Sequence, residues 1–212
     1  KNNNIMKMFI NSRSLLQSLA IISATTLLFS CGGSENKTEA TVDSMVHNPD
    51  SAMAKADAAV PLVQHAEATI ANTYPDTAVS GTVKFDATDG GKVKMVLELT
   101  VPSKAGKNVA VHIHDHGDCG DSGMASHGHW NPTNAQHGKW GTGSFHLGDI
   151  GNVKLDSKGK GSLTMETDLW SLGGAPDKNI IGHAIIVHGG EDDYKSQPAG
   201  NAGARIGCGI IQ

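Results

Sequence analysis

The sequence predicts an all-β domain, an antiparallel sandwich or barrel with long loops, and three observations point that way. Aromatic residues make up only 4% of the 212 residues while glycine occurs 26 times, a composition that suits short strands joined by tight turns. Val93, Met95, Leu97, Leu99 and Val101 are apolar at every second position, with Lys92, Lys94, Glu98 and Thr100 between them, the pattern of a strand with one buried face. Shorter runs at Val79–Phe85, Val109–His114, Gly161–Thr167 and His183–His188 are separated by turn chemistry such as Asp89-Gly90-Gly91 and Lys158-Gly159-Lys160. Strands so spaced suggest a sandwich or barrel rather than βαβ units.

The chain is long enough for one domain of about 150 residues and additional segments. Residues 1–30 carry Lys1, Lys7 and Arg13 but no acid, then the apolar run Leu19–Phe29 and the small Ser30 ahead of Cys31, the layout of an export signal. A membrane span needs about 20 apolar residues, and this run is shorter and broken by Ser23, Thr25 and Thr26. Leu28-Phe29-Ser30-Cys31-Gly32-Gly33 resembles the lipobox of bacterial lipoproteins. That resemblance implies a lipid on Cys31 and a protein anchored to a cell-envelope membrane, facing periplasm or exterior; plain secretion and a retained anchor are the alternatives. Residues 31–63 are small, polar and without an apolar period, so they read as a flexible tether, and the folded domain is expected over 64–212. The leader holds three of the 17 basic residues and none of the 21 acidic ones, leaving 14 against 21, a formal −7. That balance argues against nucleic acid as a partner.

Histidine is the feature that calls for chemistry. Eleven are present, nine of them between His112 and His188. In Val109-Ala110-Val111-His112-Ile113-His114, a period of two sets both imidazoles on one face, about 7 Å apart. The stretch Asp115–Gly148 has no sustained period of either kind, and a loop of that length inside a compact domain is usually functional. His129, His137, His146, Asp149 and His188 lie downstream. Neutral imidazoles suit copper, and three nitrogens with one carboxylate suit zinc, so this set could fill a two-metal site.

His112-Ile113-His114, Gly128-His129-Trp130-Asn131-Pro132, His137-Gly138, His146-Leu147-Gly148-Asp149-Ile150-Gly151-Asn152, Val187-His188 and Gly200-Asn201-Ala202-Gly203-Ala204-Arg205 resemble the copper/zinc superoxide dismutase family in order and spacing, over about 66–212. The resemblance implies an eight-stranded Greek-key barrel or sandwich with long metal-binding and channel loops. It implies copper on His112, His114, His129 and His188, and zinc on His129, His137, His146 and Asp149, with His129 shared as a bridging imidazolate that also carries a proton. Asp192 would link one ligand of each metal from behind, and Cys119 and Cys208 would form a disulfide, as an oxidising compartment favours. Arg205 would orient superoxide for its dismutation to dioxygen and hydrogen peroxide. Lys195 is the candidate for steering the anion. His116, His127 and His183 match no ligand position and read as surface or loop residues, His127 being the one placed to act as an adventitious ligand. The same ligands would serve a non-catalytic copper/zinc lipoprotein for storage or delivery, or a surface adhesin retaining the fold; Arg205 distinguishes the enzyme, because storage needs no anion site. The oligomeric state, a homodimer included, stays open.

Overall fold

Alternating apolar residues become the inner wall of a barrel. The structure, a computed structural model, describes residues 60–212; Cys31, the leader and most of the tether lie outside the described residues. Eight strands are present there: β1 (His65–Asn72), β2 (Ser80–Thr88), β3 (Lys92–Thr100), β4 (Asn108–His114), β5 (Gly151–Lys154), β6 (Lys160–Thr167), β7 (Ala184–His188) and β8 (Arg205–Ile210). Val93, Met95, Leu97 and Leu99 of β3 are at most 2% exposed, while Lys92, Lys94 and Glu98 face outward. The 9-residue register of β2 against β3 sets Val83 opposite Leu97 and Phe85 opposite Met95, so each pairing adds to one apolar layer.

All neighbouring pairs are antiparallel, in the order β5-β4-β7-β8-β1-β2-β3-β6. The β3–β4 and β6–β7 connections leave their ladders and cross to other neighbours, which gives the sheet its Greek-key order. The two edge strands follow one another in sequence, and the turn between them nearly closes the ring. Asp156 Oδ1 accepts the N–H groups of Lys158 and Lys160, each at 2.8 Å, and Val101 N–H donates to Gly159 O at 2.7 Å. Gly159 has φ +76°, and a Cβ there would lie 2.5 Å from Val101 O. At Gly161 a Cβ would fall 2.7 Å from Lys154 O, so the close approach of β6 to the end of β5 needs glycine.

Three strands were not apparent from periodicity. β8 is central and buried at four consecutive positions, and a strand covered on both faces does not alternate. β5 has only four residues, and β1 alternates small alanines with polar residues, so its apolar signal is weak. The assigned strand β7 begins at Ala184 rather than His183. Val60–Val63, read as the end of the tether, run beside the domain, with Gly174 N–H donating to Val60 O at 2.6 Å and Val63 N–H to Leu172 O at 2.9 Å.

Two ties fix the long loop after β4 to the barrel. Trp170, edge-on to Phe85 at 6.1 Å, donates its indole N–H to Leu147 O at 2.9 Å. Cys119 is disulfide-bonded to Cys208 of β8, 89 residues away. A closed loop of that length restricts the unfolded chain, an effect of about 4 to 5 kcal/mol on the chain-entropy account. Reduction of this bond in metal-free protein should therefore lower the urea midpoint and raise the m-value, because the released unfolded chain exposes more surface; a midpoint unmoved by reductant would show that the bond adds no stability.

Candidate metal centre

β4 and β7 lie side by side, with His112 opposite Ile186 and His114 opposite Ala184, and β7 ends at His188. The loop after β4 folds back so that His129 pairs with His114 in an isolated antiparallel bridge. His112, His114, His129 and His188 thereby form one buried group, and His129, His137, His146 and Asp149 form another, with the prospective ligand atoms of each group within 4.8 Å of one another. His129 belongs to both. Its Nδ1 lies 2.7 Å from Asp149 Oδ1, while its Nε2 is buried without a partner.

The remaining rings show the same division of labour between their two nitrogens. His112 Nε2–H donates to Asp192 Oδ2 at 2.9 Å, His114 Nδ1–H to His127 O at 2.9 Å, and His188 Nδ1–H to Gly203 O at 3.2 Å. His137 Nε2–H donates to Asp192 Oδ1 at 3.0 Å. An acceptor behind a ring fixes the proton on that side and leaves the other nitrogen with a lone pair. Those other atoms, His112 Nδ1, His114 Nε2, His188 Nε2 and His137 Nδ1, are buried without hydrogen-bond partners, as is His146 Nδ1. Buried polar atoms are normally satisfied. Lone pairs directed at two points, one surrounded by four imidazoles and the other by three imidazoles and a carboxylate, fit two bound metal ions.

Electrostatics keeps the donors in ligating form. Burial lowers His188 to about 3, with the neighbouring His112 adding to the effect. Burial also lowers His129 to about 4 against the opposing hydrogen bond to Asp149, and it holds His114 well below its ordinary value. Burial raises the Asp149 carboxyl, but this is outweighed by the adjoining imidazoles of His129 and His146 and by hydrogen bonds from the N–H groups of His146 and Gly138, so its pKa is lowered. At Asp192 burial is likewise overcome, by His112, Tyr194 N–H and His137. The imidazoles with resolved shifts thus stay neutral, and both carboxylates stay charged.

Arg205 stands at the start of β8. Its Nη1 donates to Gly123 O at 2.7 Å and Ser126 Oγ at 3.0 Å, and its Nη2 to His127 O at 2.6 Å. Arg205 shares with His188, Tyr74, Met124 and Asn201 the wall of a recess of about 290 Å³. Lys195 is exposed and is not among the residues lining that recess.

Two supporting residues were given no role by the sequence. Asn152 clamps the Asp192 backbone twice, through Nδ2 to Asp192 O at 2.9 Å and from Asp192 N–H to its own Oδ1 at 2.8 Å. Gln197 does the same for His137, at 2.9 Å in each direction. Amides occur in strands and loops alike, and only the tertiary pairing shows what these two hold. His116, His127 and His183 belong to neither buried group.

An eight-stranded antiparallel barrel with two adjoining four-ligand groups defines a two-metal β-barrel metalloprotein. The chain belongs to the copper/zinc superoxide dismutase family: residues 79–211 match the profile described as copper/zinc superoxide dismutase (SODC). It is 36% identical over 143 residues to a superoxide dismutase [Cu-Zn] of Schizosaccharomyces pombe, covering 64% of this chain and 91% of that one. It is 34% identical over 155 residues to superoxide dismutase [Cu-Zn] 2 of Aquifex aeolicus, covering 71% and 87%. Among solved structures, a double mutant of a SOD-like protein from Bacillus subtilis superposes with a TM-score of 0.61 at 30% identity, covering 68% of this chain and 95% of that one.

The lowered imidazole pKa values give metal-free protein a defined acid sensitivity. His129 and His188 titrate in the folded state at about 4 and about 3, against an ordinary 6.5, so between those values the unfolded chain binds more protons. Their contribution to stability is fully present above pH 6.5 and is lost as pH falls through the folded pKa values, at about 1.4 kcal/mol per pH unit for each group. Urea midpoints of metal-free protein should therefore fall between pH 6.5 and 4; a flat profile there would refute neutral burial of these rings.

Proposed function

We infer that this chain dismutates superoxide, converting two superoxide anions and two protons into dioxygen and hydrogen peroxide. The observation that carries the reading is a pair of buried donor groups joined through His129, opening at His188 onto a recess that holds a fixed guanidinium. In this reading His112, His114, His129 and His188 would hold copper, their unpartnered ring nitrogens being His112 Nδ1 and Nε2 of the other three, and His129, His137, His146 and Asp149 would hold zinc. Copper supplies the one-electron redox cycle and zinc a fixed positive charge.

The protein's own groups do the rest. Arg205, its Nη atoms tied to backbone carbonyls and Ser126, presents the exposed part of its guanidinium to the recess, where it binds a small anion and orients it beside His188. Preorganised donors of this kind need no rearrangement when the anion arrives. His129 is the group placed to hold and release a proton at Nε2, the atom that is buried without a protein partner, while its Nδ1 stands in the other donor group beside Asp149. Asp192 holds His112 and His137 with one carboxylate and so keeps the two groups in register. Since the chain beyond residue 30 is formally negative, attraction must come from the local field at Arg205 rather than from net charge.

A metal store could use the same ligands, but it has no use for a pinned cation beside them. Purified protein loaded with copper and zinc should accelerate the loss of superoxide, and Arg205→Ala should retain both ions yet slow it roughly tenfold or more. An unchanged rate in that variant would remove Arg205 from catalysis, and an inactive, fully loaded wild type would favour storage.

The finer proposal concerns location. The lipobox-like Leu28-Phe29-Ser30-Cys31 and the small, polar stretch after it support a lipid-anchored enzyme, exported to a cell envelope and held on a tether. Labelled fatty acid should enter wild-type protein made in a bacterial host and not Cys31→Ala; label in both would exclude Cys31 as the acceptor.

A further inference from the structure

The row of histidines on β4 continues past the buried groups. On one side the chain reads His112-Ile113-His114-Asp115-His116, and on the other His127-Gly128-His129. These segments run antiparallel: His114 pairs with His129, Asp115 N–H donates to Gly128 O at 2.9 Å, and His116 N–H donates to Ser126 O at 3.1 Å. His116 and His127 thus form the next rung outward, about 7 Å along the strand from His114 and His129. The inner rings are 5.0 Å apart and buried; the outer rings are 4.0 Å apart and exposed to solvent.

The outer rung has donors suited to a metal. The Asp115 carboxylate lies 3.8 Å from His116 Nε2, both side chains being about half exposed. His127 is held with its ring on the outside while its backbone serves the centre: its carbonyl accepts from both His114 Nδ1 at 2.9 Å and Arg205 Nη2 at 2.6 Å. Its φ of +62° is a conformation that a residue with a side chain seldom adopts. His183, whose Nδ1–H donates to Asp115 O at 2.7 Å, fixes the adjoining backbone from the other side.

We propose that His116 and His127, with the Asp115 carboxylate, form a surface site for Cu(II) that serves as an entry station for the buried centre, an inference that rests on reading the buried groups as copper and zinc sites. Two imidazoles and a carboxylate with positions open to water suit late first-row divalent ions, and copper binds such donors most strongly. Water on the remaining positions makes the station weaker than the four-ligand groups inside. An ion held there has His114 and His129 one rung inward, so transfer exchanges one pair of imidazoles for the next.

The test uses full-length chain with its buried groups filled by copper and zinc and then titrated with Cu(II), read by native mass spectrometry and electron paramagnetic resonance. Wild type should bind a third metal ion with its own copper spectrum. His116→Gln and His127→Gly, the latter keeping the backbone conformation that glycine allows, should each weaken that ion at least tenfold and retain the two buried ions. A second arm follows copper uptake by zinc-loaded, copper-free protein in stopped flow; both variants should fill several-fold more slowly than wild type. No third ion in wild type, or one that persists equally in both variants, would overturn the site, and equal uptake rates would overturn its entry role. Failure of every protein to hold two buried ions would instead count against the reading of the centre, since the outer ion is scored separately.

Discussion

The centre depends on which nitrogen of each imidazole faces inward, and buried acceptors decide it. Asp192 and Asp149 have fully buried side chains, a position that costs a carboxylate several kcal/mol unless its oxygens are bonded. Each is satisfied by the groups it must orient: Asp192 by His112, His137 and Tyr194 N–H, Asp149 by His129 and by the N–H groups of His146 and Gly138. The charge is tolerated because it organises the ligands, and the ligands stay organised because the charge cannot leave. Asn152 and Gln197 extend this arrangement by clamping the backbone that carries Asp192 and His137.

The barrel provides the rigidity that such an arrangement needs. β4 and β7 are central strands paired on both sides, so His112, His114 and His188 hang from the part of the sheet least free to move. The remaining ligands come from a loop, and a loop alone would not hold them to the necessary precision. Trp170 and the Cys119–Cys208 bond attach that loop to the core and to β8, which turns a long irregular segment into a fixed wall.

Much of this was legible from residue order. The alternation in β3 announced a half-buried strand, and the histidine spacing on β4 set two imidazoles on one face because side chains in a strand repeat every second residue. β8 escaped because its Gly207, Cys208 and Gly209 are buried together between neighbours, where alternation has no meaning. Which histidines converge was readable only by resemblance to a family, since the loop from Asp115 to Gly148 has no period from which geometry follows. The roles of Asn152, Gln197 and Ser126 were not readable: a polar side chain on a short strand or in a loop looks alike whether it faces water or holds a backbone segment or a guanidinium in place.

Strand β8 carries Arg205 at its start and Cys208 three residues later, and the loop whose Gly123 and His127 carbonyls grip the guanidinium contains the other half-cystine, Cys119. The covalent link and the Arg205 guanidinium therefore share one short lever. In a reducing environment the chain keeps every metal ligand but loses the strut that holds the gripping loop against β8. The redox state of two cysteines thus bears on what holds the Arg205 guanidinium without touching either buried donor group.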